Sequence, residues 1–252
     1  QASRRFPVLM GIAAAAALCD EADAILLCLG ESAAMSGEAC SRAHLGLPGE
    51  HRGMDGPWQG DANGWVAVLK KAHAAGLMTN LELVSIEPER VAALIRPCLP
   101  HLDLLIVNDH EIGAVAGMPT LAKGDTDVAA CTAAAKAVLA AGAMKLVAVH
   151  FPAGGLILTR DGEMIRRPSC NVPAAEVVGA NGAGDAFAAG LLYGLHEVLP
   201  LADCLQLSHS TAGASRGAIS TAGSVPKWEE CVALAKGLGG RARSPCAGAR
   251  SA

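Results

Sequence analysis

From residue 60 onward, apolar stretches of strand length alternate with stretches of helical period, and this alternation is what most narrows the fold of the 252-residue chain. Asp61-Ala62-Asn63 can cap a helix through Trp65, Val68, Leu69 and Ala72 that stops at Gly76. Leu77 to Val84 reads as a short strand, and Pro88-Glu89-Arg90 opens a helix through Val91, Leu94 and Ile95. Leu102 to Val107 is an apolar run of the kind found in strands buried on both faces. Helices are expected over Glu111–Gly117 and Thr126–Ala141, then a buried strand over Lys145–Val149. Leu156–Thr159, the turn Arg160-Asp161-Gly162 and Glu163–Arg166 read as a hairpin, followed by helices over Asp185–Leu195 and Leu201–Gly213. Alternation with short connections implies an α/β fold whose mainly parallel sheet is covered by helices on both sides. In such folds ligands sit beyond the carboxyl ends of the strands.

Composition excludes several function classes. Hydrophobic residues make up 52% of the chain and aromatic residues only 3%, which suits alanine-rich helices packed closely on a sheet. The formal net charge of -4, with no basic block, argues against nucleic acid as a partner. The nine cysteines form no CxxC pair, and no histidine cluster has metal-ligand spacing. They read as reduced thiols, and so as a cytoplasmic protein. Arg4 and Arg5 before the apolar run Phe6–Leu18 outline a secretory signal. That run is too short to span a bilayer, and the preferred reading is a buried strand and an alanine-rich helix, with no membrane partner. No linker divides the chain, so residues 1–239 are expected to form one domain and residues 240–252 a disordered tail.

The chemistry concentrates in Val177-Val178-Gly179-Ala180-Asn181-Gly182-Ala183-Gly184-Asp185-Ala186-Phe187. Small residues up to Gly184 allow a tight turn with exposed amides, and Asp185 then begins an apolar helix. Such a nest can stabilise the spread charge of a phosphoryl group in flight, while the carboxylate takes a proton from an attacking hydroxyl. An ordinary helix start capped by Asp185 fits the same spacing. The glycines at 179, 182 and 184 do not match a dinucleotide fingerprint, and no Lys-Ser or Lys-Thr follows as in a Walker A loop.

Gly-Ala-Gly-Asp-Ala-Phe followed by a small-residue helix resembles the C-terminal signature of the ribokinase-like, pfkB-type carbohydrate kinases. The resemblance implies a three-layer αβα sandwich and ATP as phosphoryl donor. It gives Asp185 the role of catalytic base and Gly182, Ala183 and Gly184 that of the anion hole. Gly179 and Ala180 stand where the family form D-T-x-G-A-G-D has Asp and Thr. Asn108-Asp109-His110-Glu111, directly after the strand at 102–107, matches the family's N-x-x-E motif. By that match Asn108 and Glu111 place Mg²⁺, with Asp109 and His110 as solvated bystanders; a plain helix cap with glutamate at its third position fits equally. Val149-His150-Phe151-Pro152-Ala153-Gly154-Gly155 resembles the turn beside the nucleotide, so Gly154, Gly155, Asn181 and His209 are expected nucleotide neighbours. Activation by a monovalent cation, found in parts of the family, is left open.

The resemblance runs over residues 44–235. The glycine pair, acidic residue and lid strands by which the family grips its sugar are not recognisable before residue 44, so that region is expected to be missing or divergent. Uncovered sheet edges would invite pairing into a homodimer. The expected function is transfer of the γ-phosphoryl group of ATP to a hydroxyl of a sugar, nucleoside or similar small molecule. The alternative is a truncated, catalytically impaired relative that only binds nucleotide or sugar. A nicotinamide-dependent oxidoreductase is disfavoured by the glycine spacing.

Overall fold

A computed structural model describes residues 55–83, 86–179, 182–217 and 225–238. The expected signal or strand at 6–18, the lid region and the tail at 240–252 lie outside these residues, as does Asn181. The described chain runs α1 (Gly64–Ala74), β1 (Asn80–Leu81), α2 (Pro88–Ile95), a 3-10 turn (Arg96–His101), β2 (Leu104–Asn108), α3 (Asp109–Ala116) and a small hairpin of β3 (Leu121–Ala122) and β4 (Asp125–Thr126). It continues with α4 (Val128–Ala141), β5 (Leu146–Phe151), β6 (Gly154–Thr159), β7 (Met164–Pro168), α5 (Ala183–His196), α6 (Leu201–Ser215) and α7 (Trp228–Leu238).

Five strands form one sheet in the order β1-β2-β5-β6-β7. β1, β2 and β5 are parallel, and β6 and β7 extend the sheet as antiparallel hairpins. Strand residues alternate between faces, which sorts the core into two layers. Leu105, Val107, Val147, Val149 and Leu156 pack with α1 to α4. Leu104, Ile106, Leu146, Ala148 and Ile157 face Phe187, Ala188 and Leu191 of α5 and Leu205 of α6. Helices therefore cover both faces, as the unbroken apolar character of β2 and β5 requires.

Local sequence explains the joints. Asn63 caps α1 by accepting from the Val66 amide at 3.0 Å, while its own amide group donates to Leu94 O at 2.9 Å. Asp127 caps α4 by accepting from the Ala129 and Ala130 amides. Several boundaries differ from expectation. Among the described residues the strand read over 77–84 pairs at Asn80–Leu81, in a two-residue register with β2. The long helix expected from Thr126 begins at Val128, because Thr126 pairs with β3 and Asp127 is the cap. Helix α5 begins at Ala183 and not at Asp185, since Gly182, at φ 75°, already makes the turn into the helix.

Candidate active site

The parallel strands end along one edge, and the expected residues gather there. Asn108 closes β2, and the parallel register sets it beside His150 of β5. Asn108 and Glu111 join strand to helix by a reciprocal cap: Asn108 Oδ1 accepts from the Glu111 amide at 2.8 Å, and Glu111 Oε2 accepts from the Asn108 amide at 2.9 Å. The helix-cap reading of this motif therefore holds as local structure. Asp109, expected to be solvated, is buried and accepts hydrogen bonds from the His110 amide and the Thr126 hydroxyl. Its role on the described residues is to fasten α3 to the β3–β4 hairpin. His110 is exposed.

Across the edge, α5 aims its N-terminus at the same place. The segment leading into it is tied down by Val178 and Gly179, whose amides donate to the carbonyl of Arg216 at 2.9 and 3.3 Å. Gly182 is the N-cap, so Asp185 is the third helical residue and not the cap that spacing alone allowed. The amides of this first turn have no intrahelical acceptors, and the helix dipole adds positive potential there. Asp185 is exposed at this end.

A pocket of about 70 Å³ lies between the strand ends and α5, lined by Glu82, Asn108, Glu111, His150, Gly184 and Asp185 among others. It takes a group of phosphoryl size; the bodies of larger ligands must rest outside it. A wider groove of about 870 Å³ between α2 and α3 is lined mostly by Ala, Gly, Pro, Met and Leu side chains and holds none of these strand-end residues.

Sequence reasoning missed two residues of this pocket. Glu82 follows β1 directly, and burial together with the negative charges of Asp185 and Glu111 raises its carboxyl to about 7. Its side chain remains open to solvent at the pocket mouth, so the crowding of charge is partly screened there. The signal was a lone carboxylate breaking an apolar stretch, Leu81-Glu82-Leu83, at a strand end. His150 lies in the segment read as the turn beside the nucleotide, where only the glycines were singled out. Burial lowers its pKa to about 4, although Asp109 and Asp185 pull the other way.

Behind the pocket, Phe187 lies between two imidazoles. Its ring centroid is 4.9 Å from that of His150 and 5.2 Å from that of His209. His209 is buried, its Nε2 has no hydrogen-bond partner, and it stands 3.2 Å from the position a Cβ on Gly155 would take. Gly154 and Gly155 begin β6 and do not form the turn itself, which is Pro152–Ala153. The close approaches they permit, among the described residues, include that of the Arg167 carbonyl to Gly154 and those of the Val149 carbonyl and the His209 ring to Gly155.

The pfkB family carbohydrate kinase profile matches residues 55–228, and the chain belongs to that family. It is similar to Arabidopsis thaliana ribokinase in complex with ribose and ATP, with a TM-score of 0.57 and 24% identity over 68% of this chain and 52% of that one. It is also similar to the adenosine kinase of Sinorhizobium meliloti, with a TM-score of 0.54 and 23% identity over 70% and 50% of the two chains. These likenesses define a ribokinase-like α/β fold. Among curated proteins, the acarbose 7(IV)-phosphotransferase of Actinoplanes sp. is 42% identical over 82 residues, 32% of this chain and 26% of that protein. The chain thus spans about half the length of the solved relatives and a quarter of the curated one.

Proposed function

We propose that the chain transfers the γ-phosphoryl group of ATP to a hydroxyl of a sugar or sugar-like acceptor, with Asp185 as the base. The observation that carries this reading is the meeting of Asp185 and the amides of α5 with Asn108, Glu111 and His150 in one small pocket at the carboxyl edge. The acceptor hydroxyl gives its proton to Asp185 as its oxygen forms a bond to the γ-phosphorus. The bond from that phosphorus to the bridging oxygen breaks in line, and ADP leaves. Gly182, Ala183 and Gly184 form the anion hole, whose amides stabilise the charge on the equatorial oxygens. Positioning and electrostatics supply most of the acceleration in such reactions.

Asn108 and Glu111 present hard oxygen donors, which fit magnesium. Their cap hydrogen bonds do not exhaust them, because each oxygen accepts more than one. Among the described residues no three His, Cys, Asp or Glu side chains gather closely enough to bind a metal directly. Bound there, Mg²⁺ supplies neutralisation of phosphate charge. The nucleotide is proposed to extend from α5 toward Gly154 and Gly155, with His209 behind that wall. The segment shared with a carbohydrate phosphotransferase supports a sugar-like acceptor. No helix among the described residues is long and apolar enough to cross a membrane. The proposed cytoplasmic location rests on reading the cysteines as reduced thiols.

A coupled ADP-release assay over a panel of sugars and nucleosides, with Mg-ATP and an Asp185→Asn control, tests the reading. Acceptor-dependent turnover that falls by at least about a thousandfold in the control supports it. Equal turnover in control and parent removes Asp185 as base. Nucleotide binding with no turnover on any acceptor favours the binding-only alternative.

A further inference from the structure

We propose that the surface where α5 ends beside α7 docks an arginine-bearing segment of a partner protein. The guanidinium lies across the rings of Tyr193 and Trp228 and pairs with Glu197 or Glu229. Aromatic residues are only 3% of the chain, yet two of them meet in the open here. Tyr193 is 37% exposed and Trp228 42%, with ring centroids 5.9 Å apart and planes tilted by 31°. The core takes Leu191 of α5 and Cys231 and Val232 of α7, and leaves both rings outside. Just past the end of α5, Val198 is 86% exposed at φ 55°. That left-handed conformation is costly for a β-branched residue, and such strain concentrates at functional surfaces.

The charges around the rings select the partner. Desolvation and the negative charges of Glu197 and Glu229 raise the pKa of the Tyr193 phenol, with the Trp228 indole opposing them. The field of both carboxylates therefore reaches the ring pair. Glu230 adds a third exposed carboxylate, set against the exposed Lys227 and the imidazole of His196, 4.0 Å from Glu197. An aromatic face attracts a cation through its quadrupole, and arginine both stacks on such a face and donates to carboxylates. A neutral apolar partner would strip water from the carboxylates and give them no partner. A second copy of the same face would bring like charges together across a two-fold axis. Tyr193 lies about 12 Å along α5 from Asp185, so the docked segment leaves the proposed reaction site free. The inference stands apart from the phosphotransfer reading.

Fluorescence anisotropy of a labelled, end-blocked peptide of alternating glycine and arginine, titrated with the full chain, tests the surface. A matching peptide with citrulline for arginine keeps the shape without the charge and should not bind. Trp228→Leu and Tyr193→Leu keep apolar bulk but remove a ring, and each should weaken the arginine peptide about fivefold. Trp228→Phe keeps a ring and should stay within about twofold of the parent. Glu197→Gln combined with Glu229→Gln should weaken binding about tenfold. No binding of the arginine peptide up to about 1 mM, or equal binding of the citrulline peptide, overturns the proposal. So does affinity unchanged in both leucine variants, which would reduce the attraction to net charge. Sedimentation of the parent without peptide checks the other occupant: a dimer that Trp228→Leu dissolves gives the face to a second copy and overturns the proposal. If the leucine variants fail to fold by circular dichroism, the citrulline comparison on the parent decides alone.

Discussion

Gly190 and Thr211 meet where α5 packs on α6, so closely that a methyl group on Gly190 would stand 2.5 Å from Thr211 Oγ1 and 2.8 Å from Ser208 Cα. The same hydroxyl donates to the Ala186 carbonyl at 2.6 Å, one residue beyond Asp185. Gly194 repeats the close approach against Cys204, whose Cα lies 3.0 Å from the added methyl. Gly190→Ala must therefore push the helices apart or break the Thr211 bond, at a cost of about 1–3 kcal/mol. Gly56→Ala, with no atom within 4 Å of the new methyl, should change stability by less than about 0.5 kcal/mol. Urea unfolding of both variants checks this, and equal midpoints would show that the seam yields.

Glu111 serves the helix cap and, in the proposed site, the magnesium ion, and two substitutions separate these tasks. Glu111→Gln keeps an acceptor for the Asn108 amide, so its unfolding free energy should stay within about 0.5 kcal/mol of the parent. It loses the charge, and half-maximal activity should need several-fold more magnesium. Glu111→Ala should lose both, with a stability cost of about 1 kcal/mol. An unchanged magnesium titration in the glutamine variant would take Glu111 out of the metal site.

Acid should destabilise the protein through its buried imidazoles. His209 is held at about 4, below its ordinary 6.5, because burial and the neighbouring His150 disfavour its charged form, with a backbone hydrogen bond at Arg167 opposing them. The unfolded chain takes up this proton first as pH falls. The contribution is complete above about 6.5 and is lost as pH falls through about 4, to a total on the order of 3 kcal/mol. His209→Leu should show a shallower fall in stability across that window. A decline as steep as the parent's would assign it to other groups.

Glu82 acts in the opposite sense. Its carboxyl is raised from 4.5 to about 7, so the folded protein holds a proton that the unfolded chain has released. That contribution is complete below 4.5 and is lost as pH rises through about 7. Glu82→Gln should gain stability relative to the parent between pH 5 and 8, and thermal melts at the two ends of that range will show it. A difference that does not grow with pH would mean that solvent screens Glu82 from Asp185 and Glu111.

The sheet and its helices were legible because β2 and β5 are buried on both faces and leave unbroken apolar runs. Asn63 and Asp127 mark helix starts by residue type alone. Asn108, Glu111 and Asp185 were legible because each sits in a short motif at an element boundary. What the sequence hid are relations between distant segments. Arg160, read as a turn residue, donates to the carbonyls of Leu139, Gly142 and Met144 and so closes the end of α4. Glu82 and His150 become neighbours of Asp185 only through the strand order. The α5 boundary was misplaced by two residues because alanine and glycine give no apolar signal at a first turn.

Helix α5 bears Asp185 on its first turn and, two residues later, Phe187 sunk in the core between sheet and helix. The carboxylate proposed as the base is thus anchored to the same packing that holds the fold together, and it has little freedom to be retuned alone. Variation toward new acceptors should accumulate in the segments around the pocket mouth and spare α5. A library selected for altered acceptor choice would then leave Phe187, Gly190 and Leu191 untouched while changing the surroundings of Glu82.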